Sequence, residues 1–247
     1  MRKVVICFLL VLVMITANLK MAIAQTSEAV IKAPQALAVT PEIESFKAGG
    51  TSIKIPTPDA ELIEVGYDVR EQMEIFVPGS NRLISGYMRS VDIPRFIKGE
   101  ENFILPKYAS IQVARQGEYH DLKLSDFNEV VAYIKDSLGD ELAKITKESE
   151  PEFNSRMKSM DLNEISFDEP VQLGTFFSKD NAYSFGILTT NSDGKMTWTM
   201  VIGTTFIRVR ERLLFVYMFA NHKDDTTIAM VRKITEEWAD AIIAANK

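Results

Sequence analysis

Eight consecutive residues, Leu213-Leu214-Phe215-Val216-Tyr217-Met218-Phe219-Ala220, are apolar at every position. Side chains of a strand alternate between two sides, so a strand of this composition has to be covered on both. A sheet with one face in water would not need it. The segment predicts a central strand, and the rest of the chain must supply a layer above it and a layer below.

Two amphipathic helices fit that requirement. Phe127, Val130, Val131, Ile134, Leu138, Leu142 and Ile145 recur three or four apart after Ser125, which reads as an N-cap, with Gly139 as a weak point. Asp224 or Asp225 caps a closing helix whose apolar stripe is Ile228, Val231, Ile234, Trp238, Ile242 and Ala245. A shorter helix is carried by Val69, Met73 and Phe76 and ended by Pro78-Gly79. Strands are predicted over Arg82 to Ser90 and Tyr108 to Arg115, and then over Val171 to Phe177, Tyr183 to Thr190, Met196 to Arg210 and Leu213 to Ala220. The turns Lys179-Asp180-Asn181, Asn191-Ser192-Asp193-Gly194 and Arg210-Glu211-Arg212 are short enough to make the last four a meander. The charged stretch from 147 to 163 reads as an insert. The fold class expected is α+β, a mostly antiparallel sheet with helices on both faces in a three-layer sandwich.

The start of the chain reads as a sorting signal. Arg2 and Lys3 precede twelve apolar residues, and Ala22 and Ala24 stand at the two recognition positions before Gln25. Cleavage after Ala24 is expected, with export to the periplasm or the exterior, and the apolar run is too short for a membrane span; the competing reading is an uncleaved anchor. Residues 25–50, with Pro34, Pro41 and Gly49-Gly50, read as a loosely ordered arm, and residues 51–247 as one sandwich domain. Cys7 is the only cysteine and falls within the signal, so disulfides, thiol nucleophiles and thiolate-bound metals are excluded after cleavage. Losing Arg2, Lys3 and Lys20 leaves 25 basic against 34 acidic residues. A negative balance of that size opposes nucleic acid and anionic lipid.

The capped helix from Ser125, the meander ending at Leu213 to Ala220, the polar Asn221-His222-Lys223-Asp224-Asp225 turn and the closing helix through Trp238 to Asn246 resemble the PsbP-like and DcrB-like α/β/α sandwich proteins. The resemblance covers roughly residues 50 to 247 and implies a binding or assembly role outside the membrane rather than catalysis.

No reaction is written in the residues themselves. His120 and His222 are the only histidines, so a metal site would need several carboxylates, and neither a metal nor a cofactor is expected. His222 with Asp224 and Asp225 has the composition of a ligand cluster, but the polar strand-to-helix turn, with the aspartates capping the closing helix and complementing its dipole, is the preferred reading. There is no nucleophile elbow around Ser184 or Ser192 and no phosphate-loop spacing at Gly49-Gly50 or Gly79-Ser80-Asn81. Glu100-Glu101, Glu71 with Glu74, and Glu236-Glu237 have the residue types of acid–base pairs but the setting of solvated surface. The aromatic and methionine stripes Tyr183/Phe185, Met196/Trp198/Met200 and Phe215/Tyr217/Phe219 suit either a core or an apolar pocket.

Four residues are put forward as contacts. Arg208 and Arg210, two apart on one strand, share a side and could hold a carboxylate or acidic partner, whereas edge protection is the structural alternative. Asn81 and Arg82 follow a Pro-Gly turn, a loop setting suited to a partner. The function expected is an exported, non-enzymatic accessory or binding protein of the cell envelope, with an envelope protein or a small ligand as partner. The alternative is a secreted hydrolase working through carboxylates alone, which requires a buried acid pair with at least one raised pKa.

Overall fold

The computed structural model describes residues 44–100, 103–159 and 163–247. Residues 1–24, read above as a signal, and residues 25–43 of the arm lie outside that range. Eight strands form one antiparallel sheet: β3 (Leu62–Glu64), β4 (Asn81–Arg89), β5 (Lys107–Ala114), β6 (Ser166–Phe167), β7 (Val171–Lys179), β8 (Ala182–Ser192), β9 (Thr197–Val209) and β10 (Arg212–Asn221). Their order is β3-β4-β5-β10-β9-β8-β6, with β7 also on β8. β7 to β10 form the expected meander, and β10 lies between β5 and β9 with Leu214 to Ala220 all buried.

The two faces of β10 feed two cores. Phe215, Tyr217 and Phe219 point to the side covered by α1 (Tyr67–Glu74), α2 (Ile93–Ile97) and α3 (Leu124–Lys158). Leu214, Val216, Met218 and Ala220 point to α4 (Asp225–Ala245) and to a separate hairpin, β1 (Glu44–Ala48) with β2 (Thr51–Ile55). The three-layer α+β sandwich follows from that alternation. The layers sit at different depths. Gly203 lets α4 close onto β9, since a Cβ there would lie 2.5 Å from Thr235 Oγ1; on the opposite face Phe185, Phe206, Phe215, Tyr217 and Phe219 form a layer of rings under α3. Trp238 of α4 meets Tyr87 edge-on at 5.4 Å and donates to the Pro56 carbonyl at 2.7 Å, tying helix, sheet and the end of β2 together.

Three local expectations are corrected. Residues 44–50 of the arm form β1 and its turn: Gly49 and Gly50 have φ of 53° and 81°, the left-handed pair that a two-residue hairpin turn needs. The residue at the cap of α3 is Lys123, which makes no side-chain capping bond; Ser125 is inside the first turn, 3.2 Å from Asp126 Oδ1. The chain is pinned just before that point, Leu122 N donating to Glu211 O at 2.8 Å, and tertiary bonds rather than a cap set where the helix starts. The charged stretch after 147 continues α3 as far as Lys158, through Pro151. Phe153 and Met157 prolong the buried stripe of Ile145, so the helix gains more from that burial than it loses at one proline.

Candidate functional site

Strand direction collects the functional candidates at one end of the sheet. The starts of β4, β8 and β10, the ends of β5, β7 and β9, the turn of the β1–β2 hairpin, the start of α3 and the end of α4 all meet there. Asn81, Arg82, Arg208 and Arg210, far apart in the chain, are brought to this end together.

Each of the four is occupied internally. Asn81 is buried, and its Nδ2 donates to Gln112 Oε1 at 3.0 Å. Arg82 grips Glu118 through Nε and Nη2 and also donates to the Lys47 carbonyl at 2.9 Å. Arg208 Nε donates to Leu122 O at 2.6 Å and Nη1 to Asn181 Oδ1 at 3.2 Å. Arg210 donates to Ser52 O at 3.1 Å and Asn246 O at 3.5 Å. Arg208 and Arg210 therefore reach to opposite layers. β9 ends at Val209, and Arg210 (φ 46°) with Glu211 (φ 60°) forms a left-handed two-residue turn that breaks the strand alternation.

Two further arginines complete the pattern. Arg212 pairs with Asp121 at 2.5 Å and donates to Thr51 Oγ1, and Arg115 donates to Asn81 O at 2.7 Å. Burial works to raise the Glu118 carboxyl, but hydrogen bonds from Arg82 and from the Gly49 amide at 3.0 Å hold it below the usual carboxylate range. The loop of residues 115–123 is thus held at Glu118, Asp121 and Leu122. Between these anchors the Tyr119 ring stands 74 % exposed, and Leu124, at the start of α3, is 42 % exposed. Neither stood out in the sequence, where an aromatic inside a polar loop was the only signal.

The remaining candidate chemistry resolves into structure. Asp224 caps α4, its Oδ1 accepting from Thr226 N at 2.9 Å; the Thr226 hydroxyl and backbone bonds hold its carboxyl below the usual range. Glu100 pairs with Arg95, Glu71 accepts from the Tyr67 hydroxyl at 3.0 Å, and Glu236 faces Lys179 at 3.0 Å. Among the described residues the carboxyls whose pKa moves, those of Glu100, Glu118 and Asp224, all move down, opposite to the raised acid that carboxylate hydrolysis requires. The aromatic and methionine stripes, Met196 at the periphery apart, are buried in the core under α3. Among the described residues no group of three His, Asp, Glu or Cys could hold a metal, and no helix is long and apolar enough to cross a membrane.

No family model and no curated protein matches the chain. Two solved structures do. One is a point mutant of the protein Mog1, at 13 % identity over 83 % of this chain and 93 % of that one, with a TM-score of 0.35. The other is the Saccharomyces cerevisiae Ran-binding protein Mog1p, at 11 % identity over 84 % and 93 %, with a TM-score of 0.33. Neither match is to a PsbP-like or DcrB-like protein, and at this identity and TM-score neither says what this chain does or where it resides. The resemblance drawn from the order of elements thus finds no match among family models, curated proteins or these structures, and it is not upheld; nor are the exported accessory role, the secreted-hydrolase alternative and the periplasmic or secreted placement.

Proposed function

We propose that this chain is a non-enzymatic binding domain that engages a protein partner through the turn end of its sheet, with Tyr119 as the anchor. The observation that carries this is the contrast at residues 118–122. The loop on either side of Tyr119 is held, at the Glu118 and Asp121 side chains by Arg82, Gly49 and Arg212 and at the Leu122 backbone by Arg208 and Glu211, yet Tyr119 itself is solvent-exposed. An aromatic presented on a loop that is already ordered gives apolar contact area at little entropic cost, the property of an interface anchor. The guanidiniums around it are engaged within the chain, and the net charge is −6, which favours a protein over a nucleic acid as partner.

A photo-reactive benzoylphenylalanine placed at Tyr119, in the cell that makes the protein, tests this reading. Val171, 56 % exposed on the edge strand β7, is the control position. A discrete crosslink to one protein from position 119 and none from position 171 is the expected result. No protein adduct at 119, or the same set of adducts at both positions, overturns the proposal.

A further inference from the structure

Between α1, α2 and the sheet lies a cavity of about 20 Å³, room for one water molecule. Met73, Phe76, Leu83, Met88, Phe96 and Tyr108 wall it. Its floor is Ser110 and Gln112, alternate residues of β5 and both buried. Gln112 accepts from Asn81 through Oε1, and its Nε2 donates to Ser110 Oγ at 3.4 Å. An amide nitrogen has two protons and a hydroxyl one, so the second Gln112 proton and the Ser110 proton have no acceptor among the described residues. Two buried protons left over in this way, facing an apolar chamber, suit a ligand that brings one acceptor.

The cover over this floor is two short helices. α1 has eight residues and α2 five, and neither makes a side-chain capping bond. Helices this short form only through their packing, so they open locally at modest cost. Met73 fills space above β4 that exists because residue 86 is glycine: a Cβ there would lie 2.5 Å from Met73 Sδ. A flexible thioether side chain is readily displaced, and when it turns aside the chamber grows by its volume.

We infer that this cavity is the closed form of a binding site for a small, neutral, mostly apolar molecule with one hydrogen-bond acceptor, of the ketone or ester class. The walls select apolar carbon, and the two floor protons select an acceptor. No cationic side chain lines the chamber, so a carboxylate would be buried without a counter-charge, which disfavours acids. The site is separate from Tyr119, and its test does not depend on that proposal.

The experiment is an NMR titration of the full chain labelled at the methionine methyls, using acetophenone and, as its counterpart without an acceptor, ethylbenzene. Saturable shifts at Met73 and Met88 are expected with both, acetophenone binding roughly five-fold tighter, as one added hydrogen bond implies. Ser110→Ala should narrow that preference, and Met73→Ala should tighten both compounds. Unperturbed methyl signals elsewhere in each variant verify that the fold is intact. Absence of saturable shifts at Met73 and Met88, or equal affinity for the two compounds in the native chain, overturns the inference.

Discussion

The Asn246 side chain stands beside Lys54 as the peptide group of a neighbouring strand would. Its Nδ2 donates to the Lys54 carbonyl at 2.7 Å and its Oδ1 accepts from the Lys54 amide at 2.8 Å. The hairpin belongs to no larger sheet, so the outward polar groups of its two strands need other partners. Asn246 and Arg210 satisfy those of β2, and Arg82 satisfies Lys47 of β1.

Asn246→Ala removes both bonds to Lys54 and a third to the Ile242 carbonyl. The expected loss is about 2 kcal/mol, because the Lys54 groups are left part-buried without partners. Urea unfolding measures it, and hydrogen exchange at Lys54 should accelerate in the variant. A change below about 0.5 kcal/mol, the usual range for a surface substitution, would show that the hairpin does not depend on this contact.

The β9–β10 turn holds Arg210 and Glu211 in left-handed backbone that glycine adopts without strain. Glu211→Gly should stabilise the chain by about 1 kcal/mol, since the Glu211 carboxylate has only a 3.9 Å contact to Arg208 to lose. Thermal unfolding should shift upward. A lower midpoint would mean that the carboxylate contributes more than the strain costs.

Acid should release the hairpin first. The Glu118 carboxyl is depressed on balance, so its contribution is present above the unfolded value of about 4.5 and is lost as pH falls through the lower folded value. The exchange rate at Gly49, whose amide donates to Glu118, should rise over that window before global unfolding. In Arg82→Met the depressing hydrogen bond is gone, and the pH dependence should flatten and move toward the ordinary carboxylate range. An unchanged profile in that variant would remove Arg82 as the cause.

At the alkaline end the buried phenols of Tyr108 and Tyr217 matter. Burial raises Tyr108 and Tyr217, so the folded chain keeps both protonated where the unfolded chain, with phenols near pH ~10, releases them. Their contribution is complete below that pH and declines above it. The phenolate absorbance of these two should appear only together with the loss of circular dichroism. A titration in which every phenol ionises while the fold persists would contradict their burial.

Hydrophobic patterning carried much of this protein. The doubly apolar run at Leu213 to Ala220 required a central strand and two covering layers, and the stripes of α3 and α4 named the residues that form them, because burial is written directly into residue type and period. Where elements begin and end was less visible. α3 passes Pro151 because Phe153 and Met157 find the core, and Glu44 to Gly50 becomes a strand and its turn because Asn246, Arg210 and Arg82 wait at the hairpin's edges. Those partners lie up to 192 residues away, and local sequence carries no trace of them.

The same holds for the candidate site. The residue types of Asn81, Arg82, Arg208 and Arg210 marked them as contact-makers, and they do make contacts, but within the chain. Only the tertiary structure decided that, since a guanidinium's partner is set by which carbonyls the fold brings within about 3 Å of it, not by its neighbours in sequence. Tyr119 shows the converse. Its exposure follows from what surrounds a loop in space, and no periodicity records it. Composition and period determined the layers of this protein; which polar groups are used up internally, and which side chains are left facing outward, was decided by the packing of segments far apart in the chain.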